Sequence, residues 1–116
     1  MSKKRDPRLY LKDILDAIVK IEDYTKDLSF EEFSKNNLVV DAVVRNFEIV
    51  GEASKKVPEE TKSQYPDIPW KEMAGMRDKV IHEYFGIDLD IVWKTIKARL
   101  SSLKESLLKI LNSEVK

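Results

Sequence analysis

The chain has 116 residues, with 21 basic and 21 acidic side chains, one histidine and no cysteine. This length predicts one domain over residues 1–116. The absence of cysteine excludes disulfides and a thiolate metal site. Zero net charge argues against bulk electrostatic binding of long duplex nucleic acid, but allows a local basic patch over one or two phosphates. Short, charge-interrupted apolar runs predict a cytoplasmic protein without membrane spans, and we expect no metal or other cofactor.

Apolar residues recur three and four positions apart, a spacing typical of helices that bury one face. A first helix is predicted over residues 6–27, with Asp6 as the N-cap and Pro7 in the first position, where its missing N–H costs nothing. Ser29 and Glu32 have the spacing of a capping box that opens a short second helix. The core stripe of the first helix consists of Leu11, Ile14, Leu15, Ile18 and Ile21.

Three further segments complete the predicted fold. A third helix is expected over residues 38–55, followed by a connector at 58–69 with one helical turn near its start. A helix then restarts around Trp70, and the last helix is expected over residues 89–111. We therefore predict an all-α, antiparallel bundle of four to five helices. The core stripes consist of Val39, Val43, Phe47 and Val50 in the third helix, and Leu89, Val92, Trp93, Ile96, Leu100, Leu103, Leu107 and Ile110 in the last.

The single histidine lies in a segment that contains the residue types needed for metal-free phosphate chemistry. His82 follows Arg77 by five positions and precedes Tyr84 by two, so a proton-transfer group, a fixed cation and a phenol are close in sequence. In a regular helix, positions 77 and 82 project about 140° apart and about 7.5 Å along the axis. This separation favours a site completed by a two-fold partner. From spacing alone, a surface arginine, a half-buried structural histidine and a core tyrosine are the commoner interpretation.

A second polar feature lies on the third helix. Asp41, Arg45, Glu48 and Glu52 recur at i, i+4, i+7 and i+11, which forms one charged stripe. Such stripes are usually the solvated face of an amphipathic helix, and the functional alternative is one wall of a polar cleft opposite the arginine–histidine segment. Gly51 costs about 1 kcal/mol relative to alanine inside a helix. Close approach of another helix would explain it.

Two segments carry a family resemblance. Residues 68–85, Ile-Pro-Trp-Lys-Glu-Met-Ala-Gly-Met-Arg-Asp-Lys-Val-Ile-His-Glu-Tyr-Phe, resemble the signature of the HepT branch of HEPN-domain proteins. So do residues 41–53, Asp-Ala-Val-Val-Arg-Asn-Phe-Glu-Ile-Val-Gly-Glu-Ala, and the similarity covers nearly the whole chain. The Arg-x4-His-x-Tyr motif is unspecific alone, but here it occurs with the Pro-Trp and Gly-Glu-Ala elements in the family's order. The resemblance implies an all-helical, HEPN-like domain that forms a two-fold dimer.

The resemblance also implies a function and the residues that perform it. It implies a metal-independent endoribonuclease toxin with Arg77 and His82 as the catalytic pair. It further implies a cognate minimal nucleotidyltransferase antitoxin that silences the toxin by attaching AMP to Tyr84. The residues that match family positions with a supporting role are Asp78, Arg45 and Glu52.

Two other functions remain open. The chain could be a non-catalytic helical subunit that presents a substrate, or Tyr84, to a nucleotidyltransferase. Zero net charge fits this alternative slightly better, because an enzyme that cuts RNA needs a local surface of positive charge around its active site. The chain could also be a purely structural dimeric bundle. Positive potential that converges on two Arg77/His82 pairs in a dimer would favour the nuclease, and a flat neutral surface would favour the subunit.

Overall fold

The computed structural model describes the backbone of residues 5–85 and 89–114, and the side chains of residues 5–78 and 89–112. Within these residues the chain forms helices and no strands, so the all-α prediction is confirmed. The helical turn predicted at the start of the connector forms a short helix of its own, which gives six helical segments among the described residues instead of the predicted four to five. The helices are α1 (Pro7–Thr25), α2 (Phe30–Lys35), α3 (Asn37–Lys56), α4 (Glu59–Gln64), α5 (Trp70–Phe85) and α6 (Leu89–Glu114). No helix in the described ranges has the length and apolar character needed to cross a membrane.

The helix starts follow the capping residues. Asp6 caps α1, where its Oδ1 accepts a hydrogen bond from the backbone N–H two residues later (2.9 Å). The capping box of α2 is complete: the Glu32 N–H donates to Ser29 Oγ (3.1 Å), and the Ser29 N–H donates to Glu32 Oε1 (2.9 Å). Both predictions are confirmed. A third cap was not predicted from the sequence: the Asn36 side chain accepts from a backbone N–H of α3 (3.1 Å), so this helix begins one residue earlier than expected.

The core is built around α3, which packs along α1 and α5, while α6 packs against α1 and less extensively against α5. Val43, Phe47 and Val50 are buried as predicted. Val39 is only half-buried, because the stripe that faces the core runs through Val40 instead. Each fully buried side chain of this size contributes about 1.5–3 kcal/mol. The fully buried residues of the other long helices include Ile14, Ile18 and Ile21 of α1, Met73 of α5, and Leu100 and Leu107 of α6.

Two contacts fix the first half of α5. At its start, the Trp70 indole Nε1–H donates to the backbone oxygen of Tyr65 (3.0 Å), which ties the helix to the preceding connector. Two residues further on, Glu72 accepts two hydrogen bonds from Arg99 of α6, both 2.8 Å long. This paired geometry orients both side chains. It also keeps the pKa of Arg99 above its usual value, because the hydrogen-bonded carboxylate favours the charged guanidinium.

Candidate functional site

The α3 and α5 helices come into close contact at Gly51. An ideal Cβ at this position would lie 2.6 Å from the Cβ of Arg77, 3.0 Å from the Arg77 backbone nitrogen and 3.2 Å from the backbone oxygen of Ala74. These distances are too short for any side chain, so glycine is required for the two helices to approach this closely. The predicted close approach at Gly51 is confirmed. Its consequence is that Arg77 lies at the contact between the two helices.

The Arg77 guanidinium lies between two carboxylates. Its Nη1 donates to Asp78 Oδ1 (3.2 Å), and its Nε lies 3.7 Å from Glu52 Oε2. Lys55 extends the cluster, with its Nζ 3.9 Å from Asp78 Oδ2. The Arg77 cluster, defined as Glu52, Lys55, Arg77 and Asp78, therefore contains two acidic and two basic groups. Its formal charge is zero.

The cluster leaves most of the arginine's hydrogen-bonding capacity available. A guanidinium carries five N–H donors in one plane, in an arrangement that matches two oxygens of a phosphate. With the described residues, Arg77 makes one side-chain hydrogen bond, to Asp78. Its Nε is enclosed and has no acceptor within hydrogen-bond distance among these residues. The side chain as a whole is 37% exposed, so an external anion can reach it.

The structure brings some of the predicted site residues together. Glu52 and Asp78 both contact Arg77, whereas Arg45 pairs with Glu48 (4.0 Å) on its own helix and is largely exposed. Positions 82 and 84 lie on the backbone of α5, and their side chains are outside the described residues. Among the described side chains, no group of three or more histidine, cysteine or acidic residues could hold a metal ion.

Comparison with known proteins identifies the family of this chain. The ribonuclease HepT-like family matches residues 14–110, which include both helices of the Arg77 cluster. The chain belongs to the ribonuclease HepT-like family. The predicted family is thereby confirmed. No solved structure matches the chain.

Several curated relatives of this HepT-like chain are named as ribonucleases. A protein of Thermococcus cleftensis named "Probable ribonuclease HepT" is 50% identical over 87% of this chain and 92% of its own length. An RNase-named protein of Methanocaldococcus jannaschii is 46% identical, with 93% of each chain covered. An RNase-named protein of Caldanaerobacter subterraneus is 43% identical over 95% of this chain and 98% of its own length.

One residue of the Arg77 cluster in this HepT-like chain was not predicted from the sequence. Lys55 follows Glu52 by three positions, so a shared helix face could have indicated its place in the cluster. Gly75 lies on the exposed side of α5, and a Cβ there would meet no atom within 4 Å. Unlike Gly51, it is not required by packing among the described residues.

The register of α5 places the site residues on two adjacent stripes. Ala74 and Arg77 lie on the side of α5 that contacts Gly51 of α3, and Trp70 belongs to the same stripe by its i, i+4, i+7 spacing. The second stripe is more exposed and passes through Lys71, Gly75 and Asp78. Position 82 follows Lys71 by eleven residues, so in a regular helix it lies about 20° from it around the axis.

Proposed function

We propose that this HepT-like protein is a metal-independent endoribonuclease, with Arg77 and His82 as its catalytic pair in a cleft that a second copy completes. The observation that carries the proposal is the Arg77 cluster. Glu52 and Asp78 hold the guanidinium at the helix contact that Gly51 permits, yet leave most of its donors available. The ribonuclease names of relatives at 40–50% identity support the same function. We further propose that the chain acts in the cytoplasm as one domain over residues 1–116.

The proposed reaction needs no cofactor, because RNA carries its own nucleophile. A base removes the proton of a 2′-hydroxyl, and the 2′-oxygen attacks the adjacent phosphorus while the bond from phosphorus to the 5′-oxygen breaks. The departing oxygen takes a proton from an acid. His82 would supply one of these two roles and the second copy's histidine the other. Arg77 would bind the phosphate oxygens, where negative charge accumulates in the transition state.

We also propose that a nucleotidyltransferase antitoxin silences the enzyme by attaching AMP to Tyr84. Tyr84 lies two positions after His82 on α5, within one helical turn of the proposed catalytic histidine. The added nucleotide carries bulk and negative charge. Both oppose the entry of RNA, which is itself an anion.

The charge of the Arg77 cluster supports a second candidate function. Two acidic groups balance two basic groups in this cluster, so the described residues around Arg77 supply no net attraction for RNA. A non-catalytic subunit that presents Tyr84 to a nucleotidyltransferase would not need such attraction. The two functions differ in whether the purified protein cuts RNA.

The decisive experiment is RNA cleavage by the purified, unmodified protein in excess EDTA. The Arg77→Ala/His82→Ala double variant is assayed beside it, after circular dichroism has shown that both proteins are folded. Cleavage by the wild type alone supports the nuclease and its catalytic pair. Equal cleavage by both proteins would reject the assignment of Arg77 and His82. Folded wild-type protein that cuts no RNA would favour the non-catalytic subunit.

A further inference from the structure

A groove of about 490 Å³ opens beside the first turns of α5. Its walls come from α4 and from the start of α5, so the groove lies on the same helix as Arg77. The residues that line it combine an aromatic ring, two lysines and small or polar side chains. They are Glu59, Lys62, Ser63, Trp70, Lys71 and Ala74.

Trp70 gives the groove a rigid aromatic wall. The indole N–H is held by the backbone oxygen of Tyr65 at 3.0 Å, and the ring is partly buried against the core. Its orientation is therefore fixed before any ligand arrives. An aromatic ring held in this way is suited to stacking with a nucleobase. Such stacking does not depend on the RNA sequence, because every base has a flat face.

The two lysines give the groove a positive charge. Lys71 is exposed at the rim, whereas the Lys62 side chain is only 18% exposed and its Nζ lies 3.7 Å from Glu59. The Glu59 side chain is 90% exposed, so it can turn into water when a stronger anion approaches Lys62. Two lysines and one glutamate leave a net charge of one positive unit. The neutral Arg77 cluster lacks this attraction for phosphates.

The exposed stripe of α5 connects this groove with the proposed catalytic positions. Trp70 begins the stripe that ends at Arg77, and Lys71 begins the stripe that passes Gly75 and reaches position 82. The axial distance from Trp70 to Arg77 is about 10.5 Å, which corresponds to about three stacked nucleotides at 3.4 Å each. The exposed Gly75 leaves open space on this path, so a strand can lie close to the helix backbone.

We propose that this groove binds single-stranded RNA next to the bond that is cut. A base stacks on Trp70, Lys62 and Lys71 contact phosphates, and the strand crosses Gly75 to bring the scissile phosphate to Arg77. The inference rests on the proposed ribonuclease function and adds to it a binding subsite for the substrate strand. It also explains how a protein with zero net charge attracts RNA.

The test measures binding separately from cleavage. A fluorescent ten-nucleotide RNA in which every 2′-hydroxyl is methylated cannot be cut, because it lacks the nucleophile. Its dissociation constant is measured over a range of salt for the wild type, Lys71→Ala and the control Lys20→Ala, which removes the same charge from the exposed face of α1. We expect weaker binding for Lys71→Ala, with a salt slope smaller by about 0.7. Lys20→Ala should match the wild type.

Two further variants test the aromatic wall and the path over the helix. Trp70→Leu should weaken binding about tenfold through the loss of stacking. Trp70→Phe keeps an aromatic face but loses the hydrogen bond to Tyr65, so its affinity should lie between those of Trp70→Leu and the wild type. Gly75→Leu should fold at least as stably as the wild type, because its side chain enters open space, yet bind RNA more weakly. Thermal melting of each variant separates a loss of binding from a loss of folding.

The outcomes distinguish the subsite from the nuclease. In one outcome, the wild type cuts ordinary RNA while Lys71→Ala and Gly75→Leu bind the methylated strand as tightly as Lys20→Ala. This result would reject the proposed RNA subsite and leave the ribonuclease proposal intact. Lys71-dependent binding without cleavage would support the groove and reject the nuclease. Wild-type protein that neither binds nor cuts would reject both.

Discussion

The Cα of Gly51 faces the Cβ of Arg77 at a separation that leaves no room for a methyl group. The packing of α3 against α5 and the position of the candidate catalytic arginine therefore depend on the same contact. A change at Gly51 acts on Arg77 without removing any functional group.

We expect Gly51→Ala to lower the stability by about 1–3 kcal/mol, as is typical of overpacked positions. The new methyl group would meet the Arg77 Cβ and backbone nitrogen, so α5 must move rather than one flexible side chain. RNA cleavage should fall as well, because Arg77 moves with the helix. Chemical denaturation and cleavage assays measure the two effects.

Gly75→Ala is the matched control for stability, since it makes the same substitution on the partner helix. Its Cβ enters open space, and alanine is the better helix former, so stability should rise by about 0.5–1 kcal/mol. Equal effects of the two substitutions would show that the helices are not in close contact at Gly51.

The helix positions and two of the caps could be predicted from the sequence, because these depend on neighbouring residues, whereas the Asn36 cap of α3 was not predicted. Asp6 and the Ser29–Glu32 box act within a few positions of the chain, and the structure contains both. The composition of the site depends on tertiary packing. From the sequence, the four residues of the charged stripe on α3 were equally good candidates for the site. Of these four, only Glu52 reaches Arg77, because α5 contacts α3 at the neighbouring Gly51.

Removal of the Asp78 carboxylate should strengthen RNA binding. Asp78 accepts from Arg77 Nη1 (3.2 Å) and lies 3.9 Å from Lys55 Nζ, so it competes with phosphate for both cations. We expect Asp78→Asn to bind a short RNA several-fold more tightly at low salt, with a smaller gain at high salt because of screening. Asp16→Asn removes the same charge from α1 and serves as the control. Weaker binding by Asp78→Asn than by this control would mean that Asp78 orients Arg77 more than it competes with the substrate.

The paired contact between Glu72 and Arg99 should contribute little to stability despite its 2.8 Å hydrogen bonds. Both side chains are about two-fifths exposed, and exposed ion pairs contribute less than about 1 kcal/mol. A double-mutant cycle with Glu72→Gln and Arg99→Gln measures the coupling, which should shrink as salt is added. A coupling well above this range, unchanged by salt, would show that the pair is effectively desolvated.

The ion pair between Lys104 and Glu22 should give a contribution to stability that disappears at high pH. Lys104 Nζ lies 2.7 Å from Glu22 Oε1, and this hydrogen bond raises the pKa of Lys104 above its usual value of 10.5. Since the pKa is higher in the folded state, the stabilisation is complete below the unfolded pKa and is lost as pH rises through the folded pKa. The stability difference between wild type and Lys104→Met should therefore be constant near neutral pH and fall above about pH 10.5. A difference that does not change with pH would mean that the methylene groups of Lys104, rather than its charge, stabilise the contact.

Tyr84 should be the residue through which a nucleotidyltransferase silences the enzyme. When the protein is incubated with ATP and the cognate transferase, we expect mass spectrometry to find AMP on a peptide that contains Tyr84 and cleavage of RNA to stop. Tyr84→Phe should keep most of the cleavage activity and resist silencing, because it lacks the phenolic oxygen that accepts the AMP. Tyr24→Phe, a change at a half-exposed tyrosine of α1, provides the control and should be silenced like the wild type. Silencing of Tyr84→Phe to the same extent would place the modification, or the inhibitory contact, elsewhere on the chain.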